Sequence, residues 1–407
     1  MKTLLIFTLL TTILCYDITY DTSKAISDSN YKYFDEYLSN HDLVENMGQG
    51  WNLGNSLECA SDGKTNEGLS SETSWGNPKV TWDLINTVGN KGFRSIRIPV
   101  SWHNHIIDYA YTIDPDWMSR VKQVVDWAIA RGLYVILNVH HDNAASTWVN
   151  YGEGYYPNYA SQTESIKFLV NVWSQITKAF NNGYDEHLIF EQLNEPRLRG
   201  NTYEWWYNAG NSDCEEANVV LNNYNKIILD VIRSSGGNNA KRFILVTSQA
   251  ASYSYITGDN FVIPDDTQYN SDTSNRRILI SIHMYSPYDF AMDAYSGVTT
   301  CGESCKVELN NYFDTLYNKF VVKGYRMIIT EMAATNKNNS SARKEWADYF
   351  VSNARLRGIS CVVWDNQYWG NGSEAESFGM LHRDYLWWEP EEYANALVSA
   401  SYTPLQW

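Results

Sequence analysis

A short apolar run followed by an amphipathic stretch recurs along most of this sequence. The apolar runs are continuous and mostly rich in β-branched residues, which is typical of strands that are buried on both faces. They occupy residues 50–57, 93–102, 133–142, 188–196, 243–250, 278–287, 326–334 and 361–366. This repetition restricts the chain to a small set of folds that alternate strands with helices.

Helical patterns fill most of the gaps between these runs. In the stretch 115–132, Asp114 precedes Pro115 and the pattern stops at Gly132, which is typical of a capped helix. The stretch 163–183 places its apolar residues along one face, as an amphipathic helix does. Further helices are predicted at 341–358 and near 80–91, 215–234 and 307–322.

Eight strands alternating with helices predict an α/β fold, the (β/α)8 or TIM barrel, and the length of 407 residues agrees with it. A doubly wound open sheet is the alternative, but it usually has fewer strands. The sequence also lacks a G-x-G-x-x-G motif between a strand and a helix. Because no linker or solenoid repeat interrupts the pattern, we expect a single domain over residues 16–407.

The chain opens with "MKTLLIFTLLTTILC", one lysine and a short apolar run that changes to polar residues after Cys15. This run is too short for a membrane span, and residues 1–15 are predicted to be a secretory signal peptide. The cleavage site is poorly marked, since no Ala-x-Ala precedes it. No later stretch is long and apolar enough to span a bilayer, so we expect a mature protein that is soluble, secreted and monomeric.

The charge balance argues against nucleic acid as a partner. The chain has 31 basic and 47 acidic residues, a formal net charge of −16, and no basic face that would neutralise phosphates. Aromatic residues are abundant, with 16 Trp and 30 Tyr. Many of them must belong to a large core, but flat rings with polar edges also suit stacking against the apolar faces of sugars.

Cysteine spacing predicts no structural metal site. If Cys15 leaves with the signal peptide, five cysteines remain, of which Cys301 and Cys305 in "CGESC" are placed to close a small disulfide and leave an odd thiol. No group of cysteines and histidines has the spacing of a zinc site. The segments "NNSS" (338–341) and "NGS" (371–373) offer acceptors for N-glycosylation.

In a (β/α)8 barrel the working face lies where the strands end and the loops begin. Nearly every predicted strand of this chain finishes on a polar or aromatic side chain after an apolar stretch. These strand-end residues are Asn55, Arg97, His140, His141, Asn194, Glu195, His283, Tyr285, Glu331 and Trp364. A barrel built for stability alone would not need them, so the set indicates a functional site.

Two of these residues are carboxylates on apolar runs. Glu195 stands in "IFEQLNEPR" (189–197) on the fourth strand, and Glu331 stands in "IITEMAA" on the seventh. Opposite walls of the barrel would bring them face to face, and carboxyl groups ~5–5.5 Å apart are the acid/base and nucleophile of a retaining glycosidase. The alternative is that each glutamate only pairs with a basic residue at the rim.

Seven sequence pieces make a resemblance specific. They are "GWNLGNSLE", "RIPVSW", "NVHHD", "NEP", "IHMY", "ITEM" and "VVWDN", in this order over nearly all of the mature chain. The chain resembles glycoside hydrolase family 5, retaining (β/α)8 enzymes that include many endo-β-1,4-glucanases. The segments "HDLVENMGQGWNLGNS" and "ETSWGNP" are similar to the subfamily with cellulase and xyloglucanase members.

The resemblance implies a role for each candidate residue. Glu195 becomes the general acid/base and Glu331 the nucleophile, which Arg97 should hold in its ionised form while the neighbouring carboxylate raises the pKa of Glu195. Substrate-binding roles follow for six further residues: Asn194 at the 2-hydroxyl, Tyr285 at Glu331, His283 near the acid/base, His140 at the same sugar, Trp364 as the stacking floor and Asn55 on the glycone side. Many relatives follow the nucleophile with an aromatic residue and a glycine, whereas this chain has Met332 and Ala333, so we expect altered packing there.

The predicted function is a secreted retaining hydrolase that cleaves internal β-1,4-glucosidic bonds of cellulose and related β-glucans without a metal or cofactor. The same chemistry on xyloglucan, mixed-linkage glucan or mannan stays open, because loops set the choice. A non-catalytic carbohydrate-binding barrel is the alternative from another class. His103 and His105 are expected to order the loop after the second strand, and no more than two of five loop tryptophans are expected to touch substrate: Trp75, Trp148, Trp205, Trp206 and Trp369.

Overall fold

A computed structural model of the chain describes residues 32–61, 64–145, 147, 149, 151–271 and 276–405. The predicted signal peptide, residues 1–15, and the loop residue Trp148 lie outside these ranges. Within them, no helix combines the length and the apolar character that crossing a bilayer requires.

Eight parallel strands close into a barrel in chain order, which confirms the predicted (β/α)8 fold. The strands are β1 (Gln49–Leu53), β2 (Ser95–Ile98), β3 (Tyr134–Asn138), β4 (Leu188–Glu191), β5 (Ile244–Val246), β6 (Ile278–His283), β7 (Met327–Met332) and β8 (Ile359–Asp365). Pairing of β1 with β8 closes the barrel. A short antiparallel hairpin that the sequence did not predict, β9 (Leu381–His382) and β10 (Trp387–Trp388), follows β8.

Helices surround the barrel, and each of the six predicted helical stretches overlaps one, with ends that differ by up to four residues. The helices are α1 (Asn40–Met47), α2 (Trp82–Lys91), α3 (Pro115–Ala130), α4 (Gln162–Ala179), α5 (Ser212–Ser234), α6 (Tyr253–Ile256), α7 (Tyr288–Ala291), α8 (Glu303–Lys319), α9 (Ser340–Arg355) and α10 (Glu391–Ala400). Asp114 caps α3 as predicted, because its side chain accepts a hydrogen bond from the backbone of Asp116.

Among the described residues, two large apolar cores hold the layers together, and a small third cluster lies in the loops that follow β3 and β4 and on α5. The larger core lies between the strands and the outer helices and buries large rings such as Trp117, Trp173 and Trp346. The smaller core fills the amino-terminal half of the barrel with side chains from alternate positions of its strands, and residues of α1 close it from below. The carboxyl-terminal end of the barrel is therefore the end that is free to hold polar chemistry.

The strands are shorter than the apolar runs that predicted them. β4 ends at Glu191, so Glu195 lies in the segment after the strand and does not end it. The backbone nonetheless keeps its course between the neighbouring strands, since the Gln192 N–H donates to Leu245 O at 3.0 Å and the Asn194 N–H donates to Val139 O at 3.0 Å. Glu195 is thus fixed by a continuation of the strand direction.

Cys301 and Cys305 form the predicted disulfide, next to the start of α8. Among the described residues three cysteines are free and buried, where one odd thiol was expected: Cys59, Cys214 and Cys361. Burial raises the pKa of the Cys59 and Cys361 thiols well above the ordinary value, so these two side chains behave as small apolar groups.

A buried arginine closes the amino-terminal end of the barrel around β4. Arg242 Nη1 donates to the backbone oxygens of Asp185 at 2.9 Å and Leu188 at 2.8 Å, and its Nη2 donates to that of Tyr184 at 3.0 Å. Its Nε donates to the side chain of Asn239 at 2.6 Å. Removal of this guanidinium would leave several buried acceptors without a donor.

We therefore expect Arg242→Met to lower the free energy of unfolding by at least about 3 kcal/mol, measured by urea denaturation. Lys226→Met is the control, because Lys226 pairs with Asp230 on the solvent face of α5 and such pairs contribute about 0.3–0.5 kcal/mol. Equal losses in the two variants would contradict the structural role assigned to Arg242.

Candidate active site

The structure brings Glu195 and Glu331 together at the mouth of the barrel. Carboxylate oxygens of both residues and a ring nitrogen of His283 all lie within 4.8 Å of one another. His283 Nδ1 stands between them, 2.7 Å from Glu195 Oε1 and 3.4 Å from Glu331 Oε2. An approach this close between carboxylate oxygens fits the ~5–5.5 Å between the carboxyl groups of a retaining pair better than the ~6.5–9.5 Å of an inverting pair.

A bulge in β7 aims Glu331 at this mouth. Against β6, Ile282 pairs with Ile329 but His283 pairs with Glu331, so β7 has one extra residue there. The register against β8 shifts in the same place, between Ile329 and Met332. As a result Thr330 and Glu331, although adjacent in sequence, both face the barrel interior. In a regular strand successive side chains alternate, so Glu331 would point to the helices.

Arg97 on β2 lies completely buried in the middle of the site. Its Nη1 donates to Glu331 Oε1 at 2.7 Å and to Asn52 Oδ1 at 2.9 Å. Its Nε donates to Glu191 Oε2 at 2.7 Å, and its Nη2 donates to Asn194 Oδ1 at 2.6 Å. One planar guanidinium thus fixes side chains from β1, β4, β7 and the segment after β4.

Glu191 is the most important residue that sequence reasoning missed. It is fully buried and accepts hydrogen bonds from Arg97, from Asn138 Nδ2 at 2.8 Å and from Ser281 Oγ at 2.7 Å. With Asn52 these residues form a polar layer beneath the mouth. The missed signal is a polar residue inside the apolar runs "GWNLGN", "VILNVH", "LIFEQL" and "LISIHM".

Tyr285 contacts Glu331 as predicted, since its hydroxyl donates to Glu331 Oε2 at 2.8 Å. The ring of Tyr285 packs against Phe378, with ring centroids 5.3 Å apart. Burial and the nearby charges of both glutamates raise the pKa of Tyr285 well above the ordinary value. Tyr285 therefore stays a hydrogen-bond donor to Glu331.

His140 and Trp364 form one wall of the site. Their rings are parallel within 5°, with centroids 5.9 Å apart. Asn138 Nδ2 lies 3.0 Å from His140 Nδ1, and burial holds the pKa of His140 well below its ordinary range, so the imidazole is neutral. Gly54 makes room for the indole, because a Cβ there would lie 2.8 Å from Trp364 Cζ2.

The structure does not join Asn55 to the carboxylate pair. Asn55 lies in the turn after β1 with a left-handed φ of 56°, and its backbone N–H bonds to the buried carboxylate of Glu58. Its backbone oxygen accepts from Asn77 Nδ2 at 2.8 Å. Asn55 is therefore a rim residue held by its main chain.

The charges at the pair differ from the sequence-based prediction. Burial opposes ionisation of Glu195, but the hydrogen bond and charge of His283, with the charge of Arg197, outweigh it and lower the pKa of Glu195 to about 2. Burial, together with the charge of Glu195, raises the pKa of Glu331, although His283 and Arg97 act against this. The prediction that the neighbouring carboxylate raises the pKa of Glu195 is wrong for this structure, whereas Arg97 does favour the ionised form of Glu331, as predicted, without outweighing its burial.

The reason for this difference is His283, which the sequence placed near the acid/base without a charge. Burial opposes protonation of His283, yet the charge of Glu331 and the hydrogen bond and charge of Glu195 raise its pKa above the ordinary value. His283 Nδ1 and Glu195 Oε1, 2.7 Å apart, are thus placed to share one proton.

The histidines after β2 order a loop, as expected. Asp142 Oδ1 accepts from the backbone of His103 at 2.6 Å and lies 3.0 Å from its Nδ1. His105 stacks on Trp117, with ring centroids 3.6 Å apart. His141 sits between the wall and a loop, in edge contact with His140 and 5.5 Å from the ring centroid of Trp75.

Two groups of described residues place three possible metal ligands within 4.8 Å of one another: Glu195, His283 and Glu331, and Asp185, Glu186 and His187. The first group is the carboxylate pair itself. In the second, His187 Nδ1 lies 3.0 Å from Asp185 Oδ1, and Glu186 Oε2 accepts from the backbone of Asp35 at 3.0 Å. Hydrogen bonds account for both arrangements.

The barrel is closed, and two carboxylates face each other at its mouth, one after the fourth strand and one on the seventh. This is the arrangement of a barrel glycosidase. The family profile "Cellulase (glycosyl hydrolase family 5)" matches residues 59–370. Endoglucanase A of Clostridium longisporum is 42% identical over 361 residues, which cover 88% of this chain and 65% of that protein. Endoglucanase B of Ruminococcus albus is 40% identical over 354 residues, 86% of this chain and 78% of that protein.

The solved structures that resemble this chain are of enzymes from the same family as its sequence relatives. A glycoside hydrolase 5 lichenase variant from a Caldicellulosiruptor species, in complex with cellotetraose, has a TM-score of 0.82 at 39% identity, covering 91% of this chain and 97% of that one. A broad-specificity endoglucanase from Ruminococcus champanellensis with bound cellotriose has a TM-score of 0.79 at 36% identity, covering 89% and 98%.

The chain belongs to glycosyl hydrolase family 5, the cellulase family. It spans slightly less than two thirds of the Clostridium longisporum relative. It spans 40% of another, the cellulase/esterase CelE of Acetivibrio thermocellus.

The two carboxylates on Arg97 are expected to differ in their effect on stability. Glu191→Gln leaves the buried guanidinium with one carboxylate and should lower the free energy of unfolding by about 3–5 kcal/mol. Glu331→Gln also leaves the guanidinium with one carboxylate, but it removes a charge that burial and Glu195 disfavour, so it should lower the free energy of unfolding by less. Urea denaturation at pH 7 measures both; a larger loss in Glu331→Gln would contradict the assignment.

Proposed function

We propose that this protein is a secreted retaining endoglucanase that hydrolyses internal β-1,4-glucosidic bonds of cellulose and related β-glucans. The observation that carries the proposal is the placement of Glu195 and Glu331 within 4.8 Å, with Arg97 on the second carboxylate. The names of the relatives, endoglucanases, and the cello-oligosaccharides bound to two structural neighbours support the substrate class. The apolar segment 1–15 supports secretion.

In the first step Glu331 attacks the anomeric carbon and forms a covalent glycosyl-enzyme. The bond between that carbon and the glycosidic oxygen breaks, and the oxygen takes a proton from Glu195. Arg97 and Tyr285 leave Glu331 few orientations, which favours in-line attack. The bulge in β7 supplies the direction of the attack.

The proton for this step comes from the unit formed by His283 and Glu195. In the free site the low pKa of Glu195 and the raised pKa of His283 put the proton on the imidazole. A bound sugar excludes water, which disfavours two separated charges and moves the proton over the 2.7 Å contact to the carboxyl group. Glu195 then donates it to the leaving group.

In the second step water replaces the leaving group. Glu195, now ionised, takes a proton from the water, whose oxygen attacks the anomeric carbon, and Glu331 leaves as a carboxylate. The configuration at the anomeric carbon is retained. Asn194 is the proposed contact of the sugar 2-hydroxyl, and Trp364 with His140 the proposed wall beneath the ring; Asn55 is proposed on the glycone side.

Mixed-linkage glucan is a second candidate substrate. A structural neighbour at 39% identity is named a lichenase, and another is named a broad-specificity endoglucanase. A non-catalytic binding barrel explains less, because carbohydrate binding requires neither the bulge that aims Glu331 nor the buried Arg97. A hydrolysis panel over carboxymethylcellulose, mixed-linkage glucan, xyloglucan and mannan, with product lengths recorded, ranks these substrates.

The two glutamates should respond differently to the leaving group. Glu195→Gln should reduce hydrolysis of β-glucan by at least about 10²-fold, yet retain glycosylation of an activated aryl β-cellobioside, whose phenolate leaves without a proton. Glu331→Gln should lose both reactions. The measurement is kcat/KM on each substrate and the burst of released phenolate.

If either glutamine variant hydrolysed β-glucan with the kcat/KM of the wild-type protein, the mechanism would be refuted. Absence of hydrolysis of every substrate in the panel by the wild-type protein would favour the binding barrel instead.

The pH profile follows from the pKa of Glu331. Because this pKa is raised above the ordinary 4.5, kcat/KM should begin to fall at a pH above 4.5 as the nucleophile takes up a proton. Glu195→Gln removes a negative charge that contributes to the raised pKa, so the acid limb should move to lower pH. The pH profile with an activated aryl β-cellobioside measures the acid limb of the wild-type protein and of Glu195→Gln. An acid limb at the same pH in both proteins would contradict this assignment.

A further inference from the structure

One cation beside the carboxylate pair has no part in the mechanism above. Arg197 Nη1 lies 3.2 Å from Glu195 Oε2, the oxygen that His283 does not contact. The two oxygens of Glu195 are therefore held by different parts of the fold: one by β6 and one by the loop that follows Glu195 itself.

Arg197 is fixed on every side. Its Nε donates to Glu204 Oε1 at 2.9 Å, and its backbone N–H donates to Asn143 Oδ1 at 2.5 Å. Its guanidinium lies over the ring of Trp205, 4.2 Å from the ring centroid. The other oxygen of Glu204 accepts from the backbone of Gly200 at 2.9 Å, which ties the same loop together. Such a stacked, forked contact suits arginine and not lysine.

In the proposed mechanism the loop of Arg197 lies on the side of the leaving group. The glycosidic oxygen that Glu195 protonates belongs to the departing sugar, so the loop that continues from Glu195 lies on that side of the reaction. Trp205 supports Arg197 and is still 49% exposed. A sugar on this side would therefore meet the residues that hold Arg197.

We propose that Arg197 is a positioning residue: it orients Glu195 through the oxygen left free by His283 and couples this acid/base to the leaving-group loop, residues 198–211. The inference rests on the proposed function, since it concerns the proton that Glu195 delivers. It predicts effects only in reactions whose leaving group needs that proton.

Arg197 acts among several other charges. Among the described residues, the titratable groups on other elements that interact with Glu195 are His283 on β6, Tyr285 after β6, Glu331 on β7, His141 and Tyr155 after β3, and Glu376 in the loop after β8. Of the two cations that contact Glu195 directly in this part of the chain, only Arg197 belongs to a loop. Removal of its positive charge makes the ionised form of Glu195 less favourable.

The test compares Arg197→Gln with wild type on cellotetraose and on 2,4-dinitrophenyl β-cellobioside, because kcat/KM reports the glycosylation step. For cellotetraose kcat/KM should fall by about 10-fold, part of the 10²–10⁴-fold that a positioned acid contributes. For the activated substrate it should stay within about 3-fold. The alkaline limb of the cellotetraose profile should move up by about one pH unit, since the unit of His283 and Glu195 keeps its proton to higher pH once the positive charge of Arg197 is gone.

Three further variants separate charge from support. Arg197→Lys keeps the charge and should return the alkaline limb to its wild-type pH without restoring the rate. An ammonium group cannot contact Glu195 and Glu204 and also stack on the ring of Trp205. Trp205→Ala should reproduce part of the Arg197→Gln effect, and Trp205→Phe should rescue it. Arg199→Gln is the matched control: it removes one positive charge from the same loop, at a residue that donates to Asn143 O at 2.8 Å.

Equal losses on both substrates in Arg197→Gln, or an unchanged alkaline limb, would overturn the inference and leave Arg197 a structural residue. If Arg197→Gln fails to fold, as judged by circular dichroism, Arg197→Lys and Trp205→Ala decide by the same two readouts. A wild-type protein inactive on both substrates would instead refute the proposed function, so the two failures are distinguishable.

Discussion

The site depends on a guanidinium with no access to water. Burying a charge is costly unless it is paired and its donors are satisfied, and Arg97 meets this condition with two carboxylates and two amide oxygens. The same contacts that make the charge tolerable also fix the side chains that surround it. Stability and geometry therefore come from one interaction, and Glu191, which never reaches the mouth, is as necessary to the arrangement as Glu331.

The two carboxylates of the mouth are held in different ways. Glu331 is on a strand and touches Arg97 and Tyr285, both of which are fixed by the barrel wall. Glu195 follows a strand and is held by His283 and by Arg197, a residue of its own loop. This asymmetry suits the roles proposed for the two residues: a nucleophile needs one direction of attack, whereas an acid/base needs to exchange a proton twice. The raised pKa of His283 is what a reading of the carboxylates alone did not reveal.

Much of the fold and of the mouth was predictable from the sequence, because the relevant information is local. Apolar runs with a polar end gave the strands, and chain order with parallel pairing then placed Glu195, His283 and Glu331 at one end of the barrel. Strand ends were less accurate: Glu195 lies beyond β4. The bulge in β7, the hydrogen bonds of Glu191 and the charge on His283 depend on register and on contacts between distant strands, which no single segment encodes. The hairpin β9–β10 was missed for a different reason: each of its strands has only two residues, too few to give an apolar or alternating run.

The bulge in β7 has a consequence for how this chain can vary. Because Thr330 and Glu331 share one face only through an extra residue in the strand, the loss of one residue there would restore simple alternation and leave one interior position where the bulge supplies two. A substitution in β7 alters what a position contributes, but a deletion at the bulge removes one of the two adjacent interior positions. Homologous chains should therefore tolerate exchanges of apolar residues along this segment while its length stays invariant, and a gap in an alignment at this point would mark a barrel in which a hydroxyl and a carboxylate no longer lie side by side.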